Sequence, residues 1–195
     1  MNRQLIFATP SARAFEMHRE EVPRLQKFFE ENPEYDISVN GEPPHPDEAL
    51  EEFESMPPPD WDIGRKWLLA FEAGDTSMIG MADVISDLLV KDVWHIGLFI
   101  VSTRLHGAGV AQELYGGLEG WMRARGARWS RLGVVVGNAR AERFWERVGY
   151  VEVRKRMQVQ MGKRTNDVRV MMKPLTGGSV ADYLALVARD RPESP

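Results

Sequence analysis

The chain has 195 residues, 43% of them hydrophobic, and a formal net charge of -4, which is material for one ordinary core. It contains no cysteine, which excludes disulfides, a thiol nucleophile and a Cys-ligated zinc site. No apolar run approaches the ~18 residues of a membrane span, and the apolar part of Met1-Asn2-Arg3-Gln4-Leu5-Ile6-Phe7 is too short for a secretory signal, so the expected location is the cytoplasm.

In chain order, Gln4 to Thr9 reads as a strand, and Pro10-Ser11 leads towards a helix over Arg19 to Glu31 with Val22, Leu25, Phe28 and Phe29 on its inner face. Asn32-Pro33 ends that helix, and the stretch from Glu34 to Pro46 is rich in turn formers. A second helix runs from Asp47, its cap, to Met56, and Pro57-Pro58-Pro59 closes it. Trp67 to Glu72 and Ile79 to Val90 read as antiparallel strands joined by Ala73 to Ser77.

The next segment, Ile96 to Val101, has the length and β-branched content of a buried strand. Beyond it, Val110, Leu114, Leu118, Trp121 and Met122 fall on one helical stripe. Between strand and helix stand Gly107 and Gly109, which lack a Cβ and let backbone N–H groups approach a ligand at the positive end of the helix dipole. A phosphate-bearing ligand suits such a turn. No Lys-Ser/Thr follows the glycines, and Gln112 stands where a dinucleotide fingerprint has its third glycine, so nucleotide hydrolysis and NAD binding are disfavoured. Leu132 to Val136 is a second apolar strand, Asn138 caps a short helix over Ala139 to Arg147, and Gly149 ends it. Strands over Val151 to Val159 and Thr165 to Lys173 follow, then a short helix over Ala181 to Ala188 and a polar tail. We therefore expect one domain over residues 1–175 and a C-terminal appendage over 176–195.

This order of elements resembles the GNAT superfamily of acyl-CoA-dependent N-acyltransferases. Its pyrophosphate loop, Q/R-x-x-G-x-G/A, is similar to His106-Gly107-Ala108-Gly109-Val110-Ala111, with His106 at the usual Arg or Gln. Its second signature is similar to Asn138, Ala141, Phe144, Trp145, Gly149 and Tyr150. The resemblance implies an α/β fold, one mixed twisted sheet with helices on both faces. It also implies acetyl-CoA or another acyl-CoA as donor, with pantetheine lying between the splayed strands Gly97 to Val101 and Leu132 to Val136. Backbone groups of Phe99, Ile100 and Val101 would then hold the thioester carbonyl, and the acetyl group would pass directly to a primary amine in a ternary complex. Homodimers are common in the superfamily, so a homodimer is a further expectation. Where the family often has a Tyr that protonates the departing thiolate, this chain has Trp145, which cannot donate that proton. By sequence, Tyr115 and Tyr150 are the nearest replacements. For the base, His95 lies where family members often carry Glu or His and has an unperturbed pKa of ~6.5, with Asp83 and Asp87 as competitors.

Charge is uneven: acidic side chains dominate residues 1–60 and basic ones residues 123–173. No aromatic-interleaved basic patch or nucleic-acid motif is visible, so nucleic acid is not an expected partner. Arg123, Arg125, Arg128, Arg131, Arg140 and Arg143 sit around the proposed cofactor strands, and some of them are candidates for the CoA phosphates. The acidic run Glu34, Asp36, Glu42, Asp47, Glu48, Glu51, Glu52, Glu54 and Asp60 lies in the segment that shapes the acceptor pocket in the resembled family. A small cationic amine is the acceptor that such carboxylates favour. The four histidines show no metal-ligand spacing. The competing expectation is an acyl-CoA sensor or scaffold without turnover.

Overall fold

The computed structural model describes residues 3–194. Eight strands form one mixed sheet in the order β1-β2-β3-β4-β5-β6-β8-β7. Their ranges are β1 Leu5–Ala8, β2 Arg13–Glu16, β3 Lys66–Glu72, β4 Met78–Ile85, β5 Val93–Val101, β6 Trp129–Val135, β7 Val151–Met161 and β8 Arg164–Pro174. The helices are α1 Val22–Glu31, α2 Glu34–Val39, α3 Glu48–Glu54, α4 Val110–Ala124, α5 Ala139–Arg147 and α6 Val180–Leu186. Among the described residues no helix is long and apolar enough to cross a membrane.

Period-2 alternation sorts the central strands between two cores. Along β3, Trp67, Leu69 and Phe71 face α4 and α5, where Leu114, Leu118, Trp121 and Trp145 cover them. The intervening Leu68 and Ala70 face the opposite side, against Leu25, Phe28 and Phe29 of α1 and Ala49 of α3. A third cluster joins Tyr183 and Val187 of the C-terminal segment to Val93 and Trp129.

All neighbouring strands pair antiparallel except β5 and β6. Their parallel register runs from Val93↔Trp129 to Ile96↔Leu132 and stops. Beyond that point each strand keeps only its outer partner, β5 pairing with β4 as far as Gly80↔Val101 and β6 with β8 as far as Val135↔Val168. An irregularity between Asp83 and Val84 falls opposite Gly97, where the sheet begins to open. The splayed pair expected from the resemblance is present.

Three local expectations need correction. The chain from Pro10 to the first helix contains a strand, β2, whose four residues are too few to show a period. The stretch read as loop holds α2, a helix of under two turns behind Pro33. Finally, β4 ends at Ile85 rather than Val90, because Asp87 (φ 52°) and Leu89 (φ 68°) turn the backbone through the left-handed region.

Candidate active site

After β5 a single 3-10 turn, Thr103–Leu105, leads into the glycine loop. Gly107 (φ 84°) and Gly109 (φ 80°) both occupy the left-handed region, and a Cβ at either would meet open space. Backbone conformation, not crowding, therefore demands glycine here. The Ala108 N–H donates to the Leu105 carbonyl at 3.3 Å. Among the described residues, the N–H groups of Gly107, Gly109, Val110 and Ala111 have no acceptor. Four open donors at the start of a fifteen-residue helix suit an anionic ligand such as a diphosphate.

His106 serves this loop indirectly. Its Nε2–H donates to the Val101 carbonyl at 3.0 Å, so Nδ1 is the acceptor, and the Arg140 guanidinium donates to it. The Arg140 guanidinium of α5 thereby stands beside the loop as a positive charge. Asn138 caps that helix as expected, its Oδ1 accepting the Ala141 N–H at 3.2 Å.

The gap between the splayed strands is a cavity of about 360 Å³. Gly97, Leu98 and Phe99 line one side of it, Gly133 to Val135 the other, and Trp145, Asn138 and Ala141 its α5 end. Of the expected cofactor-strand residues, Phe99 reaches this slot. Ile100 faces the opposite side, and Val101 is core. Phe144 stacks on Phe99 with ring centroids 5.9 Å apart.

The two tyrosines named as proton donors do not line the slot. Tyr115 and Tyr150 are each 2% exposed and belong to the core under α4. The Tyr115 hydroxyl donates to that of Tyr150 at 3.3 Å, and the latter lies 2.5 Å from Ser130 Oγ. Burial pushes both phenols above the usual tyrosine range. Their hydroxyls are committed to one another, not aimed at a leaving sulfur.

His95 does line the slot, but its surroundings remove the property for which it was chosen. Its Nδ1–H donates to the Arg131 carbonyl at 3.1 Å, and an Arg131 guanidinium nitrogen lies 3.4 Å from the same atom. Burial, reinforced by the Arg131 charge, pushes its pKa down to about 3. A ring so reluctant to gain a proton is a poor acceptor from an ammonium. Asp87 is also displaced, in the turn after β4, where it accepts the Asp92 N–H at 2.7 Å.

On the α1/α3 side of the sheet lies a second cavity of about 290 Å³, lined by Asp36, Glu48, Glu52 and Asp83. Asp36 Oδ2, Glu52 Oε1 and Asp83 Oδ1 are buried without a hydrogen-bond partner among the described residues. The cation beside them is Lys66, 3.5 Å from Asp83 Oδ2, and it also donates to the Glu52 and Ser55 carbonyls at 2.6 and 2.8 Å. Burial and Glu48 push Asp36 up to about 6. Burial and the adjacent Asp83 push Glu52 up to about 8, and burial raises Asp83 as well. Of the acidic run, Asp36, Glu48 and Glu52 turn inward, whereas Glu34 accepts from Thr103, Glu42 pairs with Lys163 and Glu54 with Arg19. Buried carboxyls with open acceptor positions suit a cationic ligand.

Tyr35, Gly97 and Leu98 line both cavities. The slot behind the glycine loop and the acidic pocket thus meet across one stretch of β5. Sequence reasoning missed Tyr35, which sits on the short helix read as loop. Its ring is half-buried, and burial together with Glu52 and Asp36 raises its pKa above the usual tyrosine range.

A helix start with open amides beside a split parallel pair is a geometry suited to a diphosphate with a slender arm. In agreement, the sequence matches the Acetyltransferase (GNAT) family over residues 23–150, and the chain belongs to that family. No curated protein matches the sequence. Several solved structures share the fold. The spermidine N-acetyltransferase of Vibrio cholerae, in complex with CoA and spermine, is 18% identical with a TM-score of 0.66, the alignment covering 85% of this chain and 96% of that one. The ribosomal-protein-S18-alanine N-acetyltransferase of Escherichia coli is 15% identical (TM-score 0.62, 86% and 96% covered). An acetyltransferase from Thermus thermophilus is 16% identical (TM-score 0.62, 88% and 99%).

Proposed function

We propose that this acetyltransferase moves an acetyl group from acetyl-CoA to a primary amine of a small cationic acceptor, by direct attack while both are bound. The observation that carries this reading is the shared wall at Tyr35, Gly97 and Leu98, where a slot fit for pantetheine opens onto an acidic pocket. The spermine held by a protein of similar fold is consistent with it.

The open amides of Gly107, Gly109, Val110 and Ala111, with Arg140 beside them, would hold the diphosphate. The splayed strands would admit the arm. When bound, acetyl-CoA supplies the activated acyl group. On the acceptor side, Asp36, Glu48 and Asp83 attract and orient the ammonium, and Glu52 takes its proton. A carboxyl whose pKa sits at about 8 is far better matched to an amine than an ordinary one. Tyr35, whose phenol lies at the junction of the two cavities, can donate a hydrogen bond to the departing sulfur, the position for which Tyr115 and Tyr150 are the sequence candidates. Holding the amine against the thioester contributes much of the rate.

The test is release of free thiol from acetyl-CoA in the presence of polyamines, basic amino compounds, and neutral and anionic amines. Turnover is expected with the cationic set; turnover confined to neutral or anionic amines would refute the acidic-pocket argument. An acyl-CoA sensor would instead show thermal protection by acetyl-CoA with no thiol release from any amine.

A further inference from the structure

The slot has a second end, remote in character from the acidic pocket, where His95, Arg131, Arg156 and Trp61 form its wall. Arg156 of β7 is half-buried, and its Nη2 is enclosed without a hydrogen-bond partner among the described residues. The charges around it are mostly of its own sign: Arg131, Arg189 and Arg154, with Asp190 opposing. Asp190 is already committed to Arg131, at 2.6 and 2.8 Å, and to the Tyr183 hydroxyl at 2.6 Å. Arg154 donates to the Arg189 and Ser194 carbonyls, and the Arg189 guanidinium lies over the Trp61 ring at 4.5 Å. His95 is neutral in this setting and adds no charge. What remains uncommitted is the Arg156 fork, in a cavity wall, surrounded by like charge. A guanidinium in that position is costly to enclose unless an anion joins it.

We propose that this basic end is a carboxylate subsite, in which Arg156 binds a carboxylate carried by a reactant. Planar bidentate recognition of a carboxylate is what a guanidinium fork does best. The inference rests on the acetyl-transfer reading for the site itself, and adds that one substrate carries an acid group as well as the reacting one. Two sources present the same chemistry. An acceptor could bear an amine for the acidic pocket and a carboxylate for Arg156, or the acyl chain of the donor could end in a carboxylate.

Two matched pairs of probes separate these sources: lysine against cadaverine as acceptors, and succinyl-CoA against butyryl-CoA as donors. Dissociation constants from calorimetry, which need no turnover, and KM values are compared for the wild type, Arg156→Gln and Arg156→Lys. In the wild type the acid-bearing member of one pair is expected to bind about tenfold tighter, as a charge-assisted fork contributes. Arg156→Gln should reduce that advantage to about twofold, with Arg156→Lys in between. A lysine preference assigns the subsite to the acceptor, and a succinyl preference to the acyl chain. No preference in either pair, or one that Arg156→Gln leaves intact, overturns the proposal. Failure of every amine to release thiol would strike the transfer reading instead, and the calorimetric comparison would still decide the subsite.

Discussion

Arg131 and Asp190 form a buried two-pronged ion pair, Nε to Oδ2 at 2.6 Å and Nη2 to Oδ1 at 2.8 Å, that ties the C-terminal segment to the strand lining the slot. The two side chains are 6% and 0% exposed. Removing one partner strands the other charge away from water, which costs about 3 kcal/mol or somewhat more. Asp190→Asn should therefore lower Tm by roughly 10 °C for a domain of this size. The guanidinium also holds the Asp190 carboxyl below its ordinary value. The pair's contribution is present above the unfolded pKa of ~3.9 and disappears as pH falls through the lower native value. Thermal melts of wild type and variant should accordingly converge in acid. A constant gap down to low pH would mean that the charge pair is not what Asp190 contributes.

Glu52 has the opposite linkage. Its carboxyl, raised to about 8, keeps a proton in the folded chain that the unfolded chain releases near ~4.3. Stability should thus fall as pH rises between those two values, and Glu52→Gln should remove that slope while abolishing the proton acceptor. Wild-type kcat/KM should climb to a plateau above about pH 8. In Glu52→Gln we expect a loss of about 10²-fold or more on that plateau. If the rising limb survives in the variant, the base lies elsewhere.

The phenols separate in the same manner. Tyr35→Phe should lower kcat by about 10²-fold, with little change in the affinity for acetyl-CoA, because it removes a donor at the junction of the cavities. Tyr115→Phe should leave kcat within a few-fold and cost about 1 kcal/mol of stability, the worth of one buried hydroxyl contact. Steady-state kinetics and melts on the two variants are sufficient. A Tyr115→Phe enzyme that loses kcat without losing stability would reverse the assignment.

What could be read in advance follows the length of the local pattern. The stripe from Val110 to Met122, the Asn138 cap and the Gly149 stop each depend on residues within one or two turns, and α5 spans Ala139–Arg147 as expected. The splay was legible only through resemblance, since it depends on pairing between strands far apart in sequence. The sequence offers Asp83 only as a candidate base and carries no signal for Tyr35, because the pocket they share with Glu52 is assembled from β4, α2 and α3, and the helix carrying Tyr35 has six residues. The pKa of His95 is not legible in the sequence for a related reason. Its value is set by burial and by Arg131, thirty-six positions away and its direct register partner in the sheet.

The same kind of distant pairing governs the glycine loop and supplies a last test. His106 accepts from Arg140 and donates to Val101, so it acts on the loop by fixing a guanidinium from another helix. Arg140→Gln should raise KM for acetyl-CoA about tenfold, the loss of one charge-assisted contact, while His106→Ala should raise it by about threefold by freeing the guanidinium. Because one residue works through the other, the double variant should be no worse than Arg140→Gln alone. The KM cycle measures this directly. Additive losses would mean that the imidazole contacts the diphosphate itself.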